Sequence, residues 1–396
     1  MWKRGCSFPF YLYFIAACVA PHARAHAKTK DIPMPEQMEQ DVLMRKEGAA
    51  GILKLNRPKA LHALTLNMVR LMTPQLLEWR TASDLGCVIV ESDGEKAFCA
   101  GGDIRALYDA AQAKNTTYLQ EFYGEEYQLN RLIKTYSKPY IALLDGITMG
   151  GGVGISVHGD FRVATENTLF AMPETGIGFF PDVGGTYFLP RLPGKIGMYL
   201  ALTGARLKAA DMIFAGLATH YVPSARLPEV QQALAAMPVG HGKSDAVAAV
   251  NAILNMYHED PDKSLLRENY DAINQHFSGH SVEEIVENLR ASTTDFAQKT
   301  LKILLQKSPS ALKVTYRQMQ VGAILDFDRA MQLEYRLACG IACDADFAEG
   351  VRAVIVDKDQ NPKWSPGQLS DVSAAYVDQY FDVLGTPDLT FTAVDG

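Results

Sequence analysis

No Cys-x-x-Cys pair occurs anywhere in this chain. Its six cysteines stand at positions 6, 18, 87, 99, 339 and 343, too sparse for a disulfide scaffold and in keeping with reduced thiols in a cytoplasmic enzyme. Long hydrophobic runs are missing too: no stretch reaches the roughly 20 apolar residues a membrane helix needs. Basic charge is in deficit, 38 lysines and arginines against 45 acids for a formal charge of −7, which argues against a nucleic acid as the main partner. It leaves room for a phosphorylated small molecule held at a local basic spot. The nine histidines show no metal-ligand spacing, so no metal is expected. Three familiar loops fail on inspection. Val157 stands where a dinucleotide loop beginning at Gly152 and Gly154 needs its third glycine. Met237 occupies the first glycine position of a phosphate loop ending in Gly242-Lys243-Ser244. Gly154-Ile155-Ser156-Val157-His158 ends in histidine instead of the glycine of a nucleophile elbow.

What remains is a chain of 396 residues, 48% hydrophobic and 21% charged, with ample core for one large domain or two ordinary ones. Residues 1–33 read separately. Trp2-Lys3-Arg4 is a basic start, Phe8 to Ala20 is apolar, and Ala23-Arg24-Ala25 offers small flanking residues for cleavage; the segment is either a signal-like leader or a misassigned start, outside the fold. From 34 to 227 the pattern alternates strand, strand and helix. Two β-rich runs, Val42 to Lys46 and Gly51 to Leu55, flank a hairpin turn. Thr65 caps an amphipathic helix with Met68, Leu71, Met72, Leu76 and Trp79 on one face. Strands are expected at Cys87 to Val90, Tyr140 to Leu144, Phe161 to Ala164 and Leu169 to Ala171. Helices are expected from Ile104, from Thr117 to Thr135, and from Gly152 to His158. From 228 to 396 strand signals give way to helical ones, including Ser310 to Val321 and Phe327 to Ala342.

Two glycine clusters and two acids carry the chemistry. Gly150-Gly151-Gly152-Val153-Gly154 ends a strand and opens a helix, so its N–H groups sit at the positive end of a helix dipole. Each glycine costs roughly 1 kcal/mol of helix stability relative to alanine, which a purely structural segment has little reason to accept. A second such turn lies at Cys99-Ala100-Gly101-Gly102-Asp103. Glu174 follows Pro173 between apolar flanks and reads as buried; Asp182 follows Pro181, and on its own pattern an N-cap for a helix from Val183 is the simpler reading. Separated backbone donors with carboxylates nearby are the equipment for attacking a carbonyl and holding its oxyanion.

With these motifs the sequence resembles the crotonase (enoyl-CoA hydratase/isomerase) superfamily from about Val42 to Trp364, most specifically at 97–104, 146–160, 170–185 and 357–364. The resemblance implies an α/β fold, a spiral of ββα repeats followed by a mainly helical C-terminal region, with an acyl-CoA thioester as the small-molecule partner. It implies that the amides of Gly102 and Gly151 form the oxyanion hole and that Glu174 and Asp182 are catalytic. Glu126, Gly151, Glu174 and Asp182 would bind substrate, with Lys59 and Ala60 at the CoA. An apolar pocket from Phe98, Phe179 or Phe180 would raise one carboxylate's pKa. Hydratases of this kind place their first glutamate where this chain has Gly154, and a small residue where it has Asp182. That exchange points to the hydrolase branch: cleavage of a short-chain 3-hydroxyacyl-CoA, 3-hydroxyisobutyryl-CoA first among them. An enoyl-CoA hydratase or isomerase and a non-catalytic acyl-CoA-binding protein are the competing readings. No cofactor beyond the substrate's own CoA, no membrane and no nucleic acid are implied, and a homo-oligomer is compatible with the pattern.

Overall fold

A computed structural model describes residues 40–94, 96–240, 242–382 and 388–391; the expectation for residues 1–33 lies outside them. Among the described residues nine strands form two sheets. The larger contains β1 (Val42–Glu47), β2 (Ala50–Leu55), β3 (Cys87–Ser92), β5 (Tyr140–Leu144), β7 (Phe161–Ala164) and β9 (His220–Tyr221), in the order β1-β2-β3-β5-β7-β9. The smaller contains β4 (Ala97–Cys99), β6 (Ile147–Met149) and β8 (Leu169–Ala171), in that order. Apart from the antiparallel β1–β2 hairpin, all pairs are parallel. Each turn of the chain therefore lays one strand in each sheet: β3 then β4, β5 then β6, β7 then β8. Parallel neighbours need crossovers, supplied by the intervening helices α1 (Leu66–Thr81), α2 (Ile104–Gln112), α3 (Thr116–Lys134) and α4 (Gly151–Gly154).

Burial on both faces explains why the central strands read as continuous apolar runs. Leu53, Val88, Val90 and Ala142 face the main core, while Ile52, Ile89, Ile141 and Leu143 face a second one. The helices Leu227–Ala235 and Lys243–Asn255 cover that second face through Val230, Leu234, Val250 and Leu254. Thr65 caps α1 as its sequence requires, accepting from Met68 N, and the expected apolar face is buried apart from half-buried Leu71.

The described residues from Gln40 onward form one compact unit. Its main core runs from Phe98 and Phe170 through Leu289 and Leu312 to Met331 and Phe347, so strand-rich and helical parts share one interior. Two long helices of the second half, Pro309–Gly322 and Phe327–Ile341, lie against the short helix α5 (Gly185–Phe188). One expectation is corrected at the glycine cluster. The helix foreseen over Gly152 to His158 exists only as Gly151–Gly154, because glycine disfavours helix and the Ser156 hydroxyl donates back to the Gly152 and Val153 carbonyls.

Candidate active site

β4, β6 and β8 are adjacent, with Cys99 opposite Thr148 and Met149 opposite Ala171. Neighbouring strands are about 4.8 Å apart, so the residues that follow their C-terminal ends are gathered at one place. Gly101-Gly102 follow β4, Gly150-Gly151 follow β6, and Pro173-Glu174 follow β8. A methyl group added to Gly151 would lie 3.2 Å from the Gly102 nitrogen, and one added to Gly150 would lie 3.2 Å from Glu174 Oε1. Gly101 at φ 128° and Gly150 at φ 47° adopt angles that L side chains avoid. Among the described residues no backbone carbonyl takes the N–H of Gly102 or of Gly151; the latter opens α4, where the first amides have no intrahelical acceptor.

These groups line one cavity of about 800 Å³, together with Glu126 and Asp182. Glu174 is 7% exposed and begins the short 3-10 turn Glu174–Ile177. Glu126 projects from α3 and is 2% exposed. One oxygen of each, Glu126 Oε1 and Glu174 Oε2, has no hydrogen-bond partner among the described residues, and buried acceptors left unpaired mark places where a ligand or water belongs. Asp182, 7% exposed, accepts from the Tyr127 hydroxyl at 2.9 Å. The capping expectation for Asp182 does not hold: α5 starts at Gly185, its N-cap Gly184 makes no side-chain bond, and the Asp182 carboxylate turns to the cavity instead. Phe179 lines the cavity beside Tyr123, their rings stacked at 5.9 Å. Of the three phenylalanines offered by the sequence it is therefore Phe179 that reaches the pocket; Phe98 and Phe180 are buried in the core and do not line it.

Burial makes these acids reluctant to ionise. Burial first, then the charge of Asp182, holds Glu174 well above the usual carboxylate range, while Lys307 pulls the other way. Burial and the charges of Asp182 and Glu334 do the same to Glu126. Burial pushes Asp182 up to about 7, against the bond from Tyr127. Lys307 lines the same cavity and makes no ion pair among the described residues; burial lowers its own pKa. Among the described residues no three histidines, cysteines or acids come together as a metal site.

At Gly154 the structure explains an absence. A Cβ there would lie 2.7 Å from Val183 Cβ and 2.9 Å from Asn130 Nδ2, so a glutamate at this position has no room for even its first side-chain carbon. Lys59 and Ala60 sit exposed on the short turn Pro58–Ala60 and do not line the cavity. The loop is nevertheless tied to the first glycine turn, since Ala100 N donates to Leu61 O at 3.0 Å and Leu64 N to Gly101 O at 2.8 Å. Sequence reasoning missed Tyr127, Lys307 and Glu334. Glu334 had a signal: it stands on the apolar stripe Phe327, Met331, Leu337, Ile341 of its helix, where a carboxylate is out of place.

The fold recurs among known proteins. Residues 50–381 match the enoyl-CoA hydratase/isomerase family, and the chain belongs to that family. A mitochondrial 3-hydroxyisobutyryl-CoA hydrolase of Xenopus tropicalis is 52% identical over 354 residues, 88% of this chain and 90% of the relative. The human mitochondrial 3-hydroxyisobutyryl-CoA hydrolase is 48% identical over 357 residues, covering 89% and 91% of the two chains. Among solved structures, a carnitinyl-CoA dehydratase of Mycobacterium thermoresistibile superposes with a TM-score of 0.83 at 40% identity, over 89% of this chain and 99% of that one. The fold is thus crotonase-like, as the resemblance implied.

Proposed function

We propose that this chain hydrolyses a short-chain 3-hydroxyacyl-CoA thioester, 3-hydroxyisobutyryl-CoA to 3-hydroxyisobutyrate and free CoA. The observation that carries this reading is the meeting of two unshared amides, Gly102 and Gly151, with Glu174 at one point of a cavity, beside an extra acid, Asp182, while Gly154 has no room for the side chain of a second glutamate. The similarity to relatives named as this hydrolase supports the choice of substrate.

In this mechanism the two amides hold the thioester oxygen and then the oxyanion of the tetrahedral intermediate. Glu174 either takes a proton from a water that attacks the carbonyl carbon, or attacks with its own carboxylate oxygen to give an acyl anhydride that a water then hydrolyses to the acid and free Glu174. The C–S bond breaks, the acyl group leaves as the acid, and the thiolate takes a proton to become free CoA. Asp182 accepts the substrate 3-hydroxyl and relays that proton, Glu126 lines the acyl pocket, and the exposed Lys59 and Ala60 meet the CoA nucleotide outside the cavity. A single turnover in isotopically labelled water, with the peptide bearing Glu174 then weighed by mass spectrometry, tests for direct attack: label in Glu174 arises only when Glu174 attacks and water opens the anhydride at the Glu174 carbonyl.

The deciding assay is thiol release across a panel of acyl-CoA esters, with crotonyl-CoA absorbance as the hydratase control. Free thiol from 3-hydroxyisobutyryl-CoA, abolished by Glu174→Gln while binding persists, is the expected result; hydration of crotonyl-CoA without thiol release would overturn it, and binding without turnover would leave a carrier protein.

The names of the relatives place them in mitochondria, which does not support the cytoplasmic expectation. Residues 1–30 contain lysine or arginine at 3, 4, 24, 28 and 30 and no acid, a composition suited to organelle import. Fractionation of a tagged full chain tests a mitochondrial location against a cytoplasmic one.

A further inference from the structure

Asp182 sits on a turn that its own sequence does not favour. Val183 has φ +49° and Gly184 φ +91°. For glycine this is free, but for a β-branched residue it is an outlier, of the kind that persists only where the surroundings impose it. The surroundings are visible on every side. From the spiral, His158 Nε2 donates to Val183 O at 2.7 Å. From the helix Pro309–Gly322, Gln318 Nε2 donates to Pro181 O at 2.6 Å and to Thr186 Oγ1 at 2.8 Å. The same helix approaches so closely that a Cβ on Gly322 would lie 2.8 Å from Thr186 Cγ2. From the helix Phe327–Ile341, Glu334, with no exposure at all, takes Gly184 N–H on one oxygen and Thr186 N–H on the other, both at 2.7 Å.

Glu334 is the only carboxylate in this set and it makes both of those bonds to backbone. A buried acid has to be matched by donors to be tolerated. Here the donors are the two amides flanking the first residue of α5, so the carboxylate does from another element what an N-cap side chain does locally. Gly184 itself has no side chain to offer.

We propose that Glu334 is a positioning residue for the reaction: its carboxylate clamps the strained Asp182-Val183-Gly184 turn and so sets the Asp182 side chain against Tyr127 at the hydroxyl end of the acyl pocket. This rests on the thioesterase reading above and assigns the helical second half a part in catalysis. Loss of the clamp lets Val183 relax toward negative φ, and Asp182, its immediate neighbour, swings away from the acyl group.

Glu334→Gln keeps the shape but points an N–H at one of the two donor amides; Glu334→Ala removes both bonds. The readouts are kcat, KM and the ratio of kcat/KM for 3-hydroxyisobutyryl-CoA over isobutyryl-CoA, which lacks the hydroxyl. Glu334→Gln should lower kcat by about 100-fold, the size of loss expected from a reacting group moved by about 1 Å, with little change in KM. It should collapse the hydroxyl preference as Asp182→Asn does, and add no further loss in the Asp182→Asn background, because coupled residues are non-additive. Hydrogen exchange reads the clamp independently of activity, through lost protection at Gly184 and Thr186 while the helix Phe327–Ile341 stays protected. The inference is overturned if Glu334→Gln lowers the melting temperature but keeps kcat and the hydroxyl preference, or if its loss multiplies with that of Asp182→Asn. A wild-type enzyme that releases no thiol from any 3-hydroxy thioester sinks the underlying reading as well, and shows it before any variant is made.

Discussion

At Gly151 the lack of a side chain has a chemical use. A methyl group there would stand 2.8 Å from Glu126 Oε1 and 3.2 Å from the Gly102 nitrogen, in the space where a carbonyl oxygen must lie to meet both amides. Gly151→Ala should therefore leave the fold measurable by circular dichroism and cut turnover by about 10²–10³-fold, the usual loss on spoiling an oxyanion donor. Lys307 acts over a longer range. Its charge opposes the upward shift of Glu174, and a carboxylate that must be ionised to work becomes active only as pH rises through its pKa. Lys307→Met should move the acid limb of kcat/KM to higher pH, and an unmoved limb would remove Lys307 from this role.

The elements around the site were unevenly legible. β5, β7 and β8 have the boundaries expected from sequence; for β5, an apolar run buried on both faces, little else decides them. The glycine turns and both acids could be singled out locally, since each breaks a local rule: glycines opening a helix, acids in apolar surroundings. What brings them together could not, because pairing of β4, β6 and β8 is a long-range property that no window of sequence contains. Asp182 shows the same limit. Its local pattern says helix cap, and the tertiary bond to Tyr127 wins. The Gly154–Val183 contact belongs here as well, since two residues 29 positions apart settle which carboxylates the site can hold. Gly154→Glu should cost about 1–3 kcal/mol or more through overpacking and should confer no hydration of crotonyl-CoA. A gain of hydration would mean that Val183 yields more readily than its contacts indicate.

For the molecule as a whole, the acid cluster ties stability to pH. Asp182 rises from an ordinary 3.8 to about 7 on folding, and Glu126 and Glu174 shift in the same direction. Between the unfolded and folded pKa the native state keeps a proton that the unfolded chain releases. The stability contributed is therefore complete below about pH 4 and is lost as pH rises through about 7. Asp182→Asn removes one such term, worth on the order of a few kcal/mol. Its melting temperature should gain on the wild type between about pH 5 and pH 8, even as hydrolysis fails; parallel melting curves would contradict this.

The short sheet β4-β6-β8 has one more consequence. Forty-nine residues separate Gly102 from Gly151 and another 23 separate Gly151 from Glu174, yet hydrogen-bond ladders between strand tips, not the length of chain between them, fix their spacing. The helix α3 between them brings Glu126 and Tyr127 to the cavity, but it does not set the distance between the two amides. Lengthening a solvent-facing joint such as Ala113-Lys114-Asn115, between α2 and α3, would enlarge the molecule and leave the two glycine turns where they were.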